Sequence, residues 1–195
     1  MIKKIKIISN SQYIIIFSDL TKNIYDLEKF KYILNHSIKF IKKLLSNNYT
    51  IVIPTYNFNF PKTKLTGTSE KYITSGFLNK YLLKKMKFKR TKRPMYNYAV
   101  IGEKVNEIIN LKQNTAWGND SVISFLAQNN AIGIGINIDE LNFGWVIIHS
   151  CEEKLKVPYR YFKIFKGINL TNKKKITEKM YVRKLNKNLV TDSSK

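Results

Sequence analysis

The chain has 195 residues, 44% of them hydrophobic, and a formal net charge of +22 from 35 basic and 13 acidic side chains. This composition excludes an intrinsically disordered chain, and the length predicts a single domain over residues 1–195 with a full core. Cys151 is the only cysteine, so no intrachain disulfide can form and we expect a cytoplasmic protein. No apolar run approaches the roughly 18 residues that a membrane span requires, and no signal peptide is recognisable.

The positive charge favours an anionic partner, such as a nucleic acid, a membrane surface or a phosphorylated ligand. However, lysine far outnumbers arginine, and the lysines are spread along the chain. A nucleic-acid-binding face would instead concentrate arginine beside exposed aromatic side chains. We therefore interpret the charge mainly as composition bias and do not expect nucleic-acid binding to be the primary function.

The first half of the chain predicts strands that alternate with helices. Apolar, β-branched runs typical of strands buried on both faces occur at residues 13–17, 50–53 and 98–101. Between the first two, apolar residues recur at helical spacing over Leu27 to Leu45, with Asp26 as the expected N-cap. His36 lies in this helix without a partner at catalytic spacing, and we interpret it as a surface residue.

Further helices are predicted from the same spacing. They cover residues 75–88, 103–111 and 122–128. The last of these is expected to be capped by Asp120 or Ser121. A long loop is predicted at residues 62–74, and a strand with two glycines at residues 131–137.

The last third of the chain predicts a helix that Pro158 ends, followed by two paired strands at residues 160–165 and 179–185. Residues 190–195 are expected to be frayed. Strands alternating with helices predict an α/β fold, specifically a three-layer helix–sheet–helix sandwich with a mixed, largely parallel central sheet.

The pair His149 and Glu152 is the main candidate for chemistry. It follows the apolar run Trp145 to Ile148, and in a helix residues three positions apart share a face. An imidazole with a carboxylate within reach forms an oriented general base. The alternative is a hydrogen-bonded histidine with no catalytic role, because this spacing is also common by chance.

Six segments keep a common order along the chain: Ser18-Asp19-Leu20, Ile53-Pro54-Thr55-Tyr56, Gly76-Phe77-Leu78, residues 90–102, Trp117 to Ser121, and residues 149–160 with His149-x-x-Glu152 and Val157-Pro158-Tyr159-Arg160. Together they resemble the motifs of the aminoglycoside 3-N-acetyltransferase family. The resemblance implies transfer of an acetyl group from acetyl-CoA to a primary amine of an amino sugar. It also implies that His149 is the base and that Glu152 orients its ring.

The resemblance implies further site residues. The candidate acetyl-CoA contacts are Ser18, Asp19, Asn97 and Tyr98 around the pantetheine and thioester, and Arg93 at the phosphates; the candidate acceptor contacts are Tyr56 and Glu153. No metal is expected. Cys151 is interpreted as a packing residue rather than a nucleophile.

The acceptor and two other classes of function stay open. The chain is shorter than antibiotic-modifying members of the family, and a charge of +22 is poorly suited to a polycationic drug. We therefore expect an amino-sugar nucleotide or another anionic glycan precursor as acceptor. The alternatives are a non-catalytic family member that binds a ligand or partner, and a basic nucleic-acid-binding protein. The oligomeric state, including a homodimer, is left open.

Overall fold

The computed structural model describes residues 10–21, 25–138 and 145–185. Within these ranges the strands are β1 (Tyr13–Ser18), β2 (Thr50–Pro54), β3 (Leu65–Thr66), β4 (Lys89–Arg90), β5 (Tyr98–Ile101), β6 (Ile132–Ile136), β7 (Arg160–Asn169) and β8 (Lys174–Arg183). The helices are α1 (Leu27–Leu45), α2 (Phe60–Thr63), α3 (Phe77–Lys85), α4 (Val105–Ile109), α5 (Val122–Gln128) and α6 (Trp145–Lys154), with a 3-10 turn at Glu70–Tyr72. The predicted fraying of residues 190–195 lies outside the described residues.

The central sheet has five strands in the order β4-β5-β2-β1-β6. β1 pairs in parallel with β2 and β6, whereas β5 pairs antiparallel with both β2 and β4. The predicted mixed sheet is confirmed, but it is parallel in only half of its pairings rather than largely parallel. Strands buried on both faces have the same apolar pattern in either direction, so the sequence pattern could not reveal the direction of β5.

The two faces of this sheet are buried against different layers. Successive residues of a strand point to opposite faces. Accordingly Ile14 and Ile16 of β1 pack with α1 and α3, whereas Tyr13 and Ile15 pack with α4, α5 and β8. All four are nearly inaccessible to solvent, and each such burial contributes about 1.5–3 kcal/mol. The predicted three-layer arrangement is confirmed.

Helix α1 has the predicted bounds and the predicted cap. The Asp26 carboxylate accepts a hydrogen bond from the Lys29 backbone N–H at 2.9 Å, which satisfies one of the donors that a helix N-terminus leaves free. Helix α5 is capped by Ser121, whose hydroxyl accepts from the Ser124 N–H, and the other candidate, Asp120, bonds elsewhere. For these two helices, the short polar residue before the first turn therefore marks where the helix starts.

A second sheet, in the order β3-β7-β8, was predicted only in part. The predicted paired strands form the hairpin β7–β8, and each strand is ten residues long, which is longer than expected. The segment predicted to be a loop supplies β3, which pairs with β7 in parallel. Gly167 permits this approach, because a Cβ there would lie 2.3 Å from the Lys64 carbonyl oxygen. Such long-range pairing leaves no local sequence signal.

No helix among the described residues is both long enough and apolar enough to cross a membrane.

Candidate active site

The His149–Glu152 pair lies on helix α6, as its spacing predicts. The imidazole Nδ1 is 2.8 Å from the Glu152 Oε2 atom. The His149 side chain is about one-third exposed at 29%, whereas that of Glu152 is 13% exposed. Glu152 therefore holds the His149 ring through Nδ1, and the ring remains accessible to a reacting group.

Two further donors come from the segment that follows α6 and reach the same carboxylate. The Tyr159 hydroxyl donates to Glu152 Oε1 at 2.9 Å, and Arg160 Nη2 lies 2.8 Å from Oε2. Burial raises the pKa of the Glu152 carboxyl, but the hydrogen bonds from His149 and Tyr159 and the charge of Arg160 outweigh burial and hold the pKa below its usual value. Glu152 is therefore ionised at neutral pH and fixed in position.

The protonation of the imidazole follows from these contacts. Arg160 Nη2 is also 3.1 Å from His149 Nδ1, but a guanidinium can only donate, so it cannot be the partner of a protonated Nδ1. An anionic carboxylate is a stronger acceptor than a neutral ring nitrogen. We therefore assign the proton to Nδ1, where it is donated to Glu152, and this leaves the lone pair of Nε2 free to accept a proton.

Trp117 forms one wall of the site. The sequence indicated it only as the first residue of the segment Trp117 to Ser121. Its ring lies 4.8 Å from the His149 ring, and the Arg160 guanidinium carbon is 6.0 Å from the Trp117 ring centre. A hydrogen bond of 2.7 Å between the Ser124 and Ser150 hydroxyls joins α5 to α6. The Ser124 hydroxyl also donates to the Trp117 carbonyl oxygen at 3.4 Å, so the loop that carries Trp117 and the helix that carries His149 are held together.

A cleft of about 200 Å³ lies at the carboxyl ends of β1 and β2. Ser18, Tyr56 and Val146 line it, and Val146 is three residues before His149, hence on the same face of α6. Tyr96 lies between Tyr56 and Trp117, with ring centres 4.9 Å from each. An aromatic wall thus connects the cleft to His149. Sequence reasoning missed Tyr96, because its role depends on contacts across several elements.

Two other predicted acetyl-CoA contacts, Asp19 and Asn97, form hydrogen bonds within the protein. Asp19 accepts hydrogen bonds from the Thr21 N–H and hydroxyl, as in a local turn. Asn97 is buried, and its side-chain oxygen accepts from Thr55 and Arg90. These residues lie near the strand ends, as predicted, but their described hydrogen bonds are to the protein itself.

Tyr98 and Tyr56 form a buried pair beneath the cleft. The Tyr56 hydroxyl donates to the Tyr98 hydroxyl at 2.9 Å, and burial raises the pKa of both phenols. Tyr98 is only 1% exposed, so its side chain supports the cleft floor from below. The Tyr56 ring, by contrast, contributes to the cleft surface.

Arg93, predicted to contact the CoA phosphates, is instead committed to a buried ion pair. Its Nε donates to Glu178 Oε1 at 2.6 Å, and its Nη1 donates to the Gln113 carbonyl at 2.9 Å. The Met95 N–H donates to the other oxygen of Glu178. The pair therefore connects the turn before β5 to β8, and the geometry does not support the predicted phosphate contact.

Glu153, predicted to bind the acceptor, is buried on the side of α6 that faces the loop before α5. Its Oε1 accepts from the Thr115 hydroxyl, whereas its Oε2 has no partner among the described residues. Burial raises the pKa of this carboxyl, although Thr115 and Arg93 oppose the shift. Gly118 is required beside it, since a Cβ there would lie 2.5 Å from the Thr115 hydroxyl oxygen.

Cys151 and His36 take no part in the contacts described above. Cys151 is exposed, so its interpretation as a packing residue is wrong. His36 is an exposed residue of α1 that stacks on Tyr32, in agreement with the prediction of a surface residue. Among the described residues, no cluster of three or more His, Cys, Asp or Glu side chains is arranged to hold a metal ion.

These features define a three-layer α/β protein with a histidine–carboxylate pair beside a cleft at the ends of parallel strands. No protein-family model matches the sequence, and no curated protein matches it.

Solved structures do match the fold. Aminoglycoside acetyltransferase AAC(3)-IIb superposes with a TM-score of 0.64 at 11% identity over 87% of this chain and 69% of that one. AAC-VIa bound to sisomicin gives 0.66 at 9% identity over 93% and 74%. AAC-IIIb in a binary complex with CoASH gives 0.63 at 10% identity over 89% and 69%. The fold implied by the resemblance to aminoglycoside 3-N-acetyltransferases is therefore confirmed.

Proposed function

We propose that this protein is an acetyl-CoA-dependent N-acetyltransferase that acts on a primary amine of an amino sugar, with His149 as the general base. The observation that carries the proposal is the geometry of His149, whose Nδ1 is bound to a clamped carboxylate while the ring stays partly exposed. Support for the chemistry comes from the matched fold, since one protein of that fold is complexed with CoASH and another with sisomicin.

The proposed reaction needs a base because an ammonium group is not a nucleophile. In it, Nε2 of His149 takes a proton from the ammonium, and the neutral amine then attacks the thioester carbonyl carbon. The new C–N bond forms and the C–S bond breaks; the thiolate of CoA leaves and takes up the second proton that the nitrogen loses, and the proton on His149 passes to solvent. Glu152 stabilises the transient imidazolium, as the carboxylate partner of a catalytic histidine does. No covalent enzyme intermediate is required.

The cleft is proposed to receive the acetylated end of acetyl-CoA. It lies at the ends of parallel strands, where α/β proteins commonly bind ligands. Ser18 contributes a hydroxyl to its lining, and Val146 connects it along α6 to His149. Of the predicted acetyl-CoA contacts, Ser18 is the one that lines this cleft, whereas Arg93 is engaged with Glu178.

The proposed acceptor is neutral or anionic apart from its reacting amine. Among the described residues of the site region, Glu152 is paired with Arg160 and Glu178 with Arg93, and the Glu153 carboxyl is buried beside Thr115. A polycationic ligand would find little complementary charge there, on a chain of net charge +22. An amino-sugar nucleotide or a related glycan precursor fits this surface better.

The proposal is tested by incubating the protein with acetyl-CoA and a panel of amino sugars while thiol release is measured. His149→Ala should lower kcat by about 10²- to 10⁴-fold, which is the usual contribution of a general base. The matched control is His36→Ala, on the exposed side of α1, which should leave turnover unchanged. CoA-induced thermal stabilisation should survive in both variants.

Two results would count against the proposal in different ways. If no amine releases thiol and CoA produces no thermal shift, the chain is not an acetyltransferase. If turnover occurs but His149→Ala retains it, the reaction stands and the base is wrong.

A non-catalytic protein that retained the fold is the second candidate. The observation that favours it is that Arg93 and Asn97, two predicted acetyl-CoA contacts, are hydrogen-bonded within the protein. A CoA-induced thermal shift without thiol release for any amine would indicate this function.

A further inference from the structure

The hairpin β7–β8 presents an outward surface that plays no part in the proposed reaction. We call it the hairpin face. It comprises the alternate residues Phe162, Ile164, Lys166 and Ile168 of β7, the β8 residues Lys179, Thr177 and Lys175 that pair with the last three of them, and Leu65 of β3. The cross-strand neighbour of Phe162 is Tyr181, which is only 5% exposed and closes this end of the face. Alternation along paired strands places these side chains on one side of the sheet. The opposite side, with Phe165, Glu178 and Met180, packs on the core.

Large apolar side chains lie uncovered on this face. Ile164 is 57% exposed, Phe162 45% and Ile168 44%, and Leu65 lies beside Ile168 through the pairing of β3 with β7. Phe162 and Ile164 are neighbours along the strand, and Lys166 separates them from Ile168 and its neighbour Leu65, so apolar and basic side chains are interleaved in one stripe. An apolar stripe bordered by polar residues typically marks a binding surface.

The stripe is bordered by positive charge. Lys166, Lys175 and Lys179 lie on this side by the register of the hairpin, and Lys173 lies in the turn that joins the two strands. The acidic residue within this segment is Glu178, which is buried on the opposite side and paired with Arg93. No carboxylate of the hairpin itself therefore offsets the lysines of the exposed face.

We propose that the hairpin face binds the surface of an anionic phospholipid membrane. Exposed isoleucine and phenylalanine side chains enter the boundary between headgroups and acyl chains, while the lysines beside them contact anionic headgroups. Lysine is suited to this arrangement, because its aliphatic stem lies along apolar surface while its ammonium reaches outward.

The chemistry of the face favours lipid over nucleic acid. Binding of single strands relies on aromatic rings that stack on bases. Here the stripe is mainly aliphatic, and the ring of Phe162 is covered on one side by the Lys179 ammonium, 4.6 Å from its centre. The cations of the face are lysines rather than arginines, which are preferred for bidentate phosphate contacts.

The test is co-sedimentation of the full chain with vesicles of phosphatidylcholine alone or of phosphatidylcholine mixed with phosphatidylglycerol. The chain should bind the anionic vesicles and not the neutral ones. Each lysine near such a surface contributes roughly fivefold in affinity, so Lys166→Glu with Lys175→Glu should weaken binding by at least about 25-fold. Ile164→Ser with Ile168→Ser should also weaken it, at unchanged net charge.

Matched controls separate this face from bulk charge attraction. Lys31→Glu with Lys39→Glu changes the net charge equally on the exposed side of α1, and Leu27→Ser removes an exposed apolar side chain there. These variants should lose little binding. Circular dichroism and thermal unfolding establish that every variant is folded.

Three outcomes would overturn the proposal. One is an equal loss of binding in the α1 controls, because the attraction would then be general. Another is absence of vesicle binding together with a dimer that Ile164→Ser and Ile168→Ser dissociate, since a second copy would then cover the face. The third is absence of vesicle binding together with retention on single-stranded nucleic acid that the hairpin lysines control.

Discussion

Replacing Glu178 by glutamine would leave the Arg93 guanidinium buried without an ionic partner. The glutamate side chain is fully buried and that of Arg93 is 8% exposed, with Nε of Arg93 2.6 Å from the carboxylate. Glutamine retains the shape but removes the charge, and its amide would present a donor to either Arg93 or the Met95 N–H. Breaking a buried ion pair in this way costs about 3–5 kcal/mol.

The assay is urea unfolding followed by circular dichroism. With a urea m-value of about 2 kcal/mol/M, the loss corresponds to a midpoint lower by roughly 1.5–2.5 M. The chain contains a matched exposed pair, Lys84 and Glu70, at 3.0 Å with side chains 61% and 42% exposed. Glu70→Gln should cost no more than about 1 kcal/mol, because solvent screens this pair.

The double variant Arg93→Met with Glu178→Leu should be more stable than Glu178→Gln, because it removes both charges together. It should also leave the KM for acetyl-CoA unchanged, since Arg93 is committed to the ion pair. The reasoning is refuted if Glu178→Gln destabilises no more than Glu70→Gln does. A raised KM for acetyl-CoA in the double variant would instead support the prediction that Arg93 contacts CoA.

Three other predictions concern stability. The pKa of Glu152 is lower in the folded than in the unfolded state. Its stabilising contribution is therefore present above the unfolded pKa of about 4.3 and is lost as the pH falls below that value. The difference in unfolding free energy between wild type and Glu152→Gln should shrink on acidification, and a constant difference would contradict this. Gly167→Ala should lower the thermal midpoint, because its Cβ would clash with the Lys64 carbonyl, and an unchanged midpoint would argue against that contact. Asp26→Ala should cost about 1 kcal/mol in urea unfolding, whereas Asp26→Ser should cost much less.

Local patterns predicted the elements whose signal is local. Helix α1 has the predicted bounds because its amphipathic spacing and its cap lie within one stretch of sequence. The strand β1 was recognised from its unbroken apolar run. Helix α3, in contrast, begins at Phe77 rather than Ser75, because Gly76 takes a positive φ of 75° that starts the helix later. Its last turn is also shorter than predicted, ending at Lys85.

In the candidate site, too, contacts within one helix were predictable, whereas contacts between distant elements were not. His149 and Glu152 contact each other because both lie on one helix face, which spacing alone reveals. Tyr159 and Arg160 were noted in the sequence, but only the turn after α6 brings them to Glu152. Trp117 and Tyr96 become part of the site through ring contacts between elements distant in the chain.

Periodicity and capping act over a few residues, so local patterns were enough to predict the fold class, the limits of α1 and the contact between His149 and Glu152. Packing between distant segments sets the direction of β5, the addition of β3 to the hairpin and the burial of Arg93 against Glu178. These features depend on contacts between residues far apart in the chain. Whether a basic residue meets a ligand or a buried carboxylate is set by which strands pack together, and no local pattern records it.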